Sequence, residues 1–242
     1  MRSIMRHLYQ PYKWLILMPV IVVTTIFFGG LAVLLCLFLD PKIPSLLCGV
    51  TWARINSWIT PMLVRVTGRK FIDPKQSYVV ISNHQSQYDI FVLYGWLGVD
   101  FKWVMKKELR RTPFIGVSCE KLGHIFIDRA DRNAAVRTIN AAKKKITGGT
   151  SVLFFPEGTR SRSGRLGPFK KGAFRMALDL GLPILPVTIR GTRAVLPPDT
   201  LDIFPGRADL IIHPPMETSG WDHAGLAELM AKVRAVIQAP LD

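Results

Sequence analysis

The sequence predicts an α/β fold, a mainly parallel or mixed sheet covered by helices, with an N-terminal helical module that seats the chain on a membrane. Three observations carry this reading. From Trp14 to Leu39 no residue is charged. After Gly68, short β-rich runs alternate with helical ones, the pattern of a sheet layered by helices. Several polar motifs directly follow strands, and ligands of such sheets bind beyond the carboxyl ends of strands. The expected division is residues 1–67 for the membrane module and 68–242 for the α/β domain, within a chain of 242 residues.

The first element is "WLILMPVIVVTTIFFGGLAVLLCLFL". At about 1.5 Å per helical residue it is long enough to cross a bilayer. It is too long for the core of a signal peptide, and no small-x-small cleavage pattern follows it. Arg2, Arg6 and Lys13 precede it, while Lys42, Arg54, Arg65, Arg69 and Lys70 follow. Positive charge on both flanks gives a single span no clear orientation. Gly29-Gly30 would permit a break, so that the segment dips in and returns on the same side; a plain single span is the rival. The next segment, "SLLCGVTWARINSWITPMLVRVTG", has apolar residues and tryptophans at roughly helical spacing and is expected to lie in the membrane interface.

The remaining elements follow from period and punctuation. "YVVIS", "FKWVM", "HIFID", "SVLFF", "ILPVTIRG" and "ADLIIH" read as strands. Helices are expected at Ile90 to Leu97, Arg132 to Ile146, Phe169 to Leu180 and Asp222 to Ile237. An aspartate before "NAAVRTINAAKKKI" supplies a start signal, and Gly148-Gly149 a stop.

Charge narrows the function classes. Hydrophobic residues make up 49% of the chain, yet its formal net charge is +15. A chain both apolar and basic suits an anionic membrane surface or an anionic substrate. The excess is concentrated: Phe101 to Met176 holds 18 Lys and Arg against 5 Asp and Glu. A single run such as Lys143-Lys144-Lys145 reads as a solvated helix face, but the clustering as a whole asks for a partner. No nucleic-acid motif accompanies it. Cys36, Cys48 and Cys119 lack metal or CxxC spacing and read as thiols in a reducing compartment.

Four stretches carry candidate chemistry. "SNHQSQYD", Ser82 to Asp89, follows the strand "YVVI". On a regular helix, residues five apart are turned by about 140°. His84 and Asp89 therefore meet only if His84 lies in a loop and Asp89 enters the next helix. A carboxylate on one ring nitrogen would then leave the other free as a base; a loop histidine beside a capping aspartate is the alternative. "FFPEGTRSRSG", Phe154 to Gly164, offers Gly158 for close backbone approach and Arg160 as a forked donor for phosphate. Glu157, a carboxylate amid arginines, is expected to hold one of them. Arg129 in "LGHIFIDRADR" and Lys106 and Lys107 in "FKWVMKKELRRTPFIG" also follow strands. Each of these last three stretches has a solvated surface as its alternative.

Absences complete the inventory. There is no G-x-S-x-G elbow, so Ser82 and Ser86 lack the setting of a hydrolase nucleophile. There is no G-x-x-x-x-G-K-[ST] loop and no G-x-G-x-x-G after a strand. His84, His124 and Asp128 do not make a metal set. What is left is a base, no nucleophile belonging to the protein, and several cations suited to a phosphate.

"NHQSQYD", "FIDR", "FPEGTRS" and "LPVTIRG", in this order and spacing, resemble the motifs of the 1-acylglycerol-3-phosphate acyltransferases of phospholipid synthesis. The resemblance runs from about Tyr78 to Gly191 and implies a glycerolipid acyltransferase-like sheet. It implies direct transfer of an acyl group from a thioester, acyl-CoA or acyl carrier protein, to the sn-2 hydroxyl of lysophosphatidic acid, forming phosphatidic acid. His84 would remove the hydroxyl proton and Asp89 would orient it. Arg160, Arg129 and Lys106 would contact the substrate phosphate, with Asn83, Glu157 and Gly158 as motif support. No metal, cofactor or nucleic acid is implied. Anionic lipids would gather at the basic surface, and the site of action would be a membrane, the cell inner membrane if bacterial, with the catalytic domain on the cytoplasmic face. The chain departs from many relatives at "QYD", beside the aspartate. Two alternatives stand beside this reading: another acceptor, such as glycerol 3-phosphate or a lysophospholipid with a larger headgroup, or a non-catalytic membrane-bound anion-binding protein.

Overall fold

The structure, a computed structural model, describes residues 9–128, 130–146 and 148–242. Its first helix, α1 (Tyr9–Leu35), is long and apolar enough to cross a membrane. It contains one widened turn at Lys13–Leu17 and runs through Gly29-Gly30 without a break. The expected interruption there does not form. Two glycines cost a helix about 1 kcal/mol each, and the helix formers beyond them keep the ladder going. The chain reverses instead over residues 36–41, where Pro41 cannot donate to a continuing helix.

A second helix, α2 (residues 42–59), then returns along the first. The pairing is antiparallel. Tyr12 donates to the Ile59 carbonyl (2.6 Å), Thr24 meets Asn56 (3.1 Å) and Trp52 donates to Thr25 (3.0 Å), while Ala32 packs on Cys48 nearer the reversal. Basic flanking residues tie this hairpin to the protein. Lys13 donates to the Leu201 carbonyl and Arg54 to that of Gly95, while Arg69, beyond the hairpin, donates to that of Trp96. Arg2 and Arg6 lie outside the described residues.

Among the described residues, much of the other side of the hairpin is left uncovered. Leu15, Val23 and Phe27 are exposed on α1, and Leu37 and Phe38 at the reversal are 62% and 78% exposed. An apolar surface of this extent suits membrane association.

The segment expected to stay helical up to Gly68 ends its helix at Ile59. "MLVRVT" then forms β1 (Met62–Thr67). Its alternating β-branched and polar residues fit a strand with one covered face. β1 runs parallel to the strand β7 (Gly206–Ile212), with Met62 opposite Gly206 and Thr67 opposite Ile211. Residues 1–67 thus also supply an edge of the sheet.

The other strands are β2 (Val79–Ser82), β3 (Asp100–Lys106), β4 (Ile125–Ile127), β5 (Thr150–Phe154) and β6 (Ile184–Arg190), and the sheet order is β1-β7-β6-β2-β5-β3-β4. β6, β2, β5, β3 and β4 run parallel, and β7 lies antiparallel to β6, so the sheet is mixed. Helices cover both faces: α3 (Tyr88–Trp96), α4 (Ile115–Lys121), α5 (Arg132–Ala142), α6 (Gly172–Leu180), the short α7 (Thr192–Val195) and α8 (Leu226–Gln238). Strand period sorts the two cores. Val80 of β2 joins Phe91, Leu93 and Ala53 on the hairpin side; Val79 and Ile81 join Phe174, Met176 and Leu229 on the other. The hairpin side is therefore continuous with the membrane seat, and the α5–α6–α8 side lies across the sheet from it.

Replacing Leu37 and Phe38 together by Asp is expected to lower the fraction of protein that floats with phospholipid vesicles. The melting temperature should not move, because neither side chain is buried. A lost melting transition, or unchanged flotation, would contradict the assignment of the reversal as a membrane contact.

Candidate active site

Because β6, β2, β5, β3 and β4 are parallel, their carboxyl ends share one edge, and the loops that leave it hold the polar motifs. Asn83 follows β2 and ties it to β6. Its side chain accepts from the Ile189 amide (2.7 Å) and donates to the Ile189 carbonyl (2.8 Å), as a backbone unit would.

His84 lies in the loop and Asp89 in the first turn of α3, so the chain turns between them. His84 Nδ1 and Asp89 Oδ2 are 2.8 Å apart. The same oxygen accepts the amides of Gln85 (2.7 Å) and Ser86 (2.9 Å), and Oδ1 accepts the hydroxyl of Thr192. Asp89 is fully buried, so these four donors replace water. Its position in the first turn of α3 adds the favourable field of a helix N-terminus. The aspartate thus shapes the loop and holds the histidine at once; the amides it accepts belong to the loop before α3, so it does not cap that helix. With Nδ1 donating, Nε2 is left as an acceptor, and it has no hydrogen-bond partner among the described residues.

Phe155, directly after β5, stacks on the imidazole with centroids 3.8 Å apart and planes 9° from parallel. Ring rotation is blocked on one side by Phe155 and at one nitrogen by Asp89. Sequence reasoning missed Phe155 and Thr192. Both had a positional signal, since Phe155 sits inside "FFPEGTR" and Thr192 directly follows "LPVTIRG".

Among the described residues Glu157 holds no arginine, against what its surroundings in sequence suggest. It turns inward and accepts two backbone amides, His84 at 2.8 Å and Gly167 at 2.8 Å. Burial pushes its carboxyl up from the usual range, opposed by these two amides. The Ser161 amide donates to the His84 carbonyl (2.8 Å), so the histidine's backbone is gripped on both sides by one loop. Arg234 of α8 donates to the carbonyls of Leu166 and Gly167 and steadies the segment that Glu157 bridges. Gly158 is in the left-handed region at φ 76°, and a Cβ there would meet Lys170 Nζ at 2.7 Å. Gly191 is similarly placed at φ 90°, where a Cβ would strike the Arg207 carbonyl at 2.2 Å; it turns the chain from β6 into Thr192.

The loop after Glu157 forms a groove of about 640 Å³ lined by Glu157, Arg160, Arg162 and Arg165, with Asp199 across it. Arg160 lies 3.3 Å and Arg162 2.8 Å from Asp199. Glu157 belongs both to this groove and to the clamp on His84, so a cationic pocket begins beside the histidine. Lys106 ends β3 on the same edge, more than half exposed and 3.6 Å from Glu108. Lys107 pairs with Asp128. Arg129 lies outside the described residues.

The remaining polar residues of the motifs serve structure. Ser82 donates to the Asn83 carbonyl and Ser86 to that of Leu196. Tyr88, at the departure beside the aspartate, is buried with its hydroxyl 2.8 Å from Thr60, tying α3 to the end of α2. His124 accepts from the Trp103 amide, and burial pushes its pKa down to about 3, which keeps it neutral.

The class of protein is an acyltransferase: a profile of the acyltransferase family matches residues 63–190. A chloroplastic 1-acyl-sn-glycerol-3-phosphate acyltransferase of Brassica napus is 40% identical over 145 residues, 60% of this chain and 42% of that protein. A 1-acyl-sn-glycerol-3-phosphate acyltransferase alpha of Ovis aries is 33% identical over 172 residues, 71% of this chain and 60% of that one. The crystal structure of the 1-acyl-sn-glycerophosphate (LPA) acyltransferase PlsC from Thermotoga maritima is similar with a TM-score of 0.82 at 29% identity, covering 100% of this chain and 96% of that one. The chain belongs to the acyltransferase family, in the group of the 1-acyl-sn-glycerol-3-phosphate acyltransferases. It spans less than half the length of the chloroplastic relatives, 42% and 40% for those of Brassica napus and Arabidopsis thaliana.

Glu157→Gln tests the clamp. An amide oxygen can accept one of the two backbone donors but its NH₂ opposes the other, leaving a buried N–H unpaired. The expected loss in unfolding free energy is about 1–3 kcal/mol by denaturant titration. Unchanged stability would mean that the two amides find other partners.

Proposed function

We propose that the protein transfers a fatty acyl group from a thioester, acyl-CoA or acyl carrier protein, to the sn-2 hydroxyl of lysophosphatidic acid. The product is phosphatidic acid, and the setting is phospholipid synthesis at a membrane. The observation that carries this reading is the His84–Asp89 pair, with no partner at Nε2 among the described residues, clamped through Glu157 to a groove of arginines.

In this reading Arg160 receives the acceptor's phosphate, exchanging Asp199 for a dianion that offers a stronger, forked interaction. Lys106 is the second cation, and Arg129 is a further one on the strength of its motif. The acceptor hydroxyl gives its proton to Nε2, and its oxygen adds to the thioester carbonyl. Asp89 stabilises the imidazolium that forms. The tetrahedral adduct then breaks its C–S bond, and the departing sulfur takes the proton back from Nε2. An ester and a free thiol result, and His84 is restored. The thioester is already activated, so no covalent enzyme intermediate is needed. The lipid acceptor reaches the edge from the membrane in which the hairpin sits, and anionic headgroups near the basic surface favour that seating by about 1 kcal/mol per close Lys or Arg. The same reading puts the α/β domain on the cytoplasmic side, where soluble thioesters are available.

General-base catalysis contributes about 10²–10⁴-fold. His84→Ala should therefore reduce acceptor-dependent thiol release by that order, with vesicle flotation unchanged; retained activity would sink the mechanism. Thiol release absent in the wild type with both CoA and carrier-protein donors would favour a non-catalytic anion-binding role.

Arg160→Ala is expected to raise the KM for lysophosphatidic acid about tenfold or more, the loss of one charge-assisted contact, while leaving the KM for the donor in place. An unchanged acceptor KM would remove Arg160 from the phosphate site. A panel with glycerol 3-phosphate and larger-headgroup lysophospholipids reads the acceptor directly.

A further inference from the structure

On the face of the sheet away from the hairpin, a cleft of about 990 Å³ runs between α5, α6 and the start of α8. Its floor is apolar, made by Val104, Ile127 and Phe154 at the ends of β3, β4 and β5. One end reaches Phe155 and Gly158, and Phe155 is the ring stacked on His84. Lys170, Lys171 and Arg175 line the cleft and are exposed. Among the described residues, none of the three side chains is in an ion pair. Asp179 is the one carboxylate in the lining, at the far end of α6, and it is already matched by Lys143 (2.8 Å) and His223 (3.1 Å).

An apolar trough with uncompensated cations suits a slender, largely neutral ligand with an anionic end. Its position adds a direction. The acceptor is a lipid and arrives from the hairpin side, whereas the donor is carried by a water-soluble molecule and needs access from the other side. Acyl-CoA and acyl carrier protein share one chemical part, the 4′-phosphopantetheine arm that bears the thioester.

We propose that this cleft receives the phosphopantetheine arm of the acyl donor, its phosphate at Lys170, Lys171 and Arg175 and its thioester end directed toward Phe155 and His84. The assignment rests on the acyl-transfer reading of the neighbouring site. It makes the donor site distinct from the Arg160 groove, so that the two substrates meet at the strand edge from opposite faces of the sheet.

Two variants test it by different means. Gly172 lines the cleft, and a Cβ there meets no atom within 4 Å, so Gly172→Trp sets a bulky ring at the cleft wall, with the melting temperature as the check that the fold is kept. Lys171→Glu with Arg175→Glu reverses the charge of its rim. Initial rates would be measured in each with acyl-CoA and with acyl carrier protein as donor, and unacylated CoA would serve as competitive inhibitor. The expected result is a rise of about tenfold or more in the KM for both donors and in the inhibition constant of CoA, with the KM for lysophosphatidic acid and the melting temperature unchanged. A rise with carrier protein alone would mean that the rim reads an acidic protein surface, and the arm assignment would fall. Unchanged donor KM values, or equal rises for donor and acceptor, would also overturn it. A wild type without acceptor-dependent thiol release would instead remove the acyl-transfer reading itself, whereas an active wild type with indifferent variants removes only the cleft.

Discussion

The carboxylate of Asp89 is the constraint around which the edge of the sheet is organised. A buried carboxylate is costly unless its lone pairs are matched. Here the matching groups come from separate parts of the chain: the imidazole of His84, the amides of Gln85 and Ser86, and the hydroxyl of Thr192. Satisfying one anion therefore fixes the loop after β2, the start of α3 and the turn after β6 relative to one another. Glu157 repeats the device from β5, closing His84 and Gly167 onto one side chain. Two buried acids thus hold His84 by its ring and by its backbone.

That rigidity is what the proposed mechanism draws on. A general base acts through geometry before it acts through its pKa, and His84 has little freedom left. Phe155 covers one face of its ring and Asp89 takes one nitrogen. The arginine groove starts at Glu157 itself, so the distance from His84 to the cationic pocket is set by the same clamp that fixes the histidine. The sheet then divides the surroundings: an apolar hairpin on one face, a basic-rimmed cleft on the other.

The position of this edge was legible in the chain because its motifs follow strands, and a strand's carboxyl end has one place in a parallel sheet. His84, Asp89 and Arg160 were readable for that reason, each from residue type and local order. Glu157 was readable as a residue of interest but not in its role. Its neighbours in sequence are arginines, while its partners, His84 and Gly167, are backbone groups brought in by tertiary contact. Local propensity also misjudged the hairpin. Gly29-Gly30 looked like a place to break, yet the helix continues and turns at Pro41. "MLVRVT" read as the tail of an interfacial helix until pairing with β7 made it a strand, because strand formation depends on a partner that local sequence does not show.

By itself the sequence determined the alternation of strands and helices, the apolar start, and the residue types able to act as base, orienting acid and phosphate ligand. These depend on period, composition and short-range order, which a chain carries in any conformation. Only the tertiary structure decided which donors saturate Asp89, what Glu157 holds, that Phe155 stacks on His84, and that Arg160, Arg162 and Arg165 line one groove while Lys170, Lys171 and Arg175 line a separate cleft. Those are contacts between residues distant in sequence, set by strand order and by the need to pair every buried polar group.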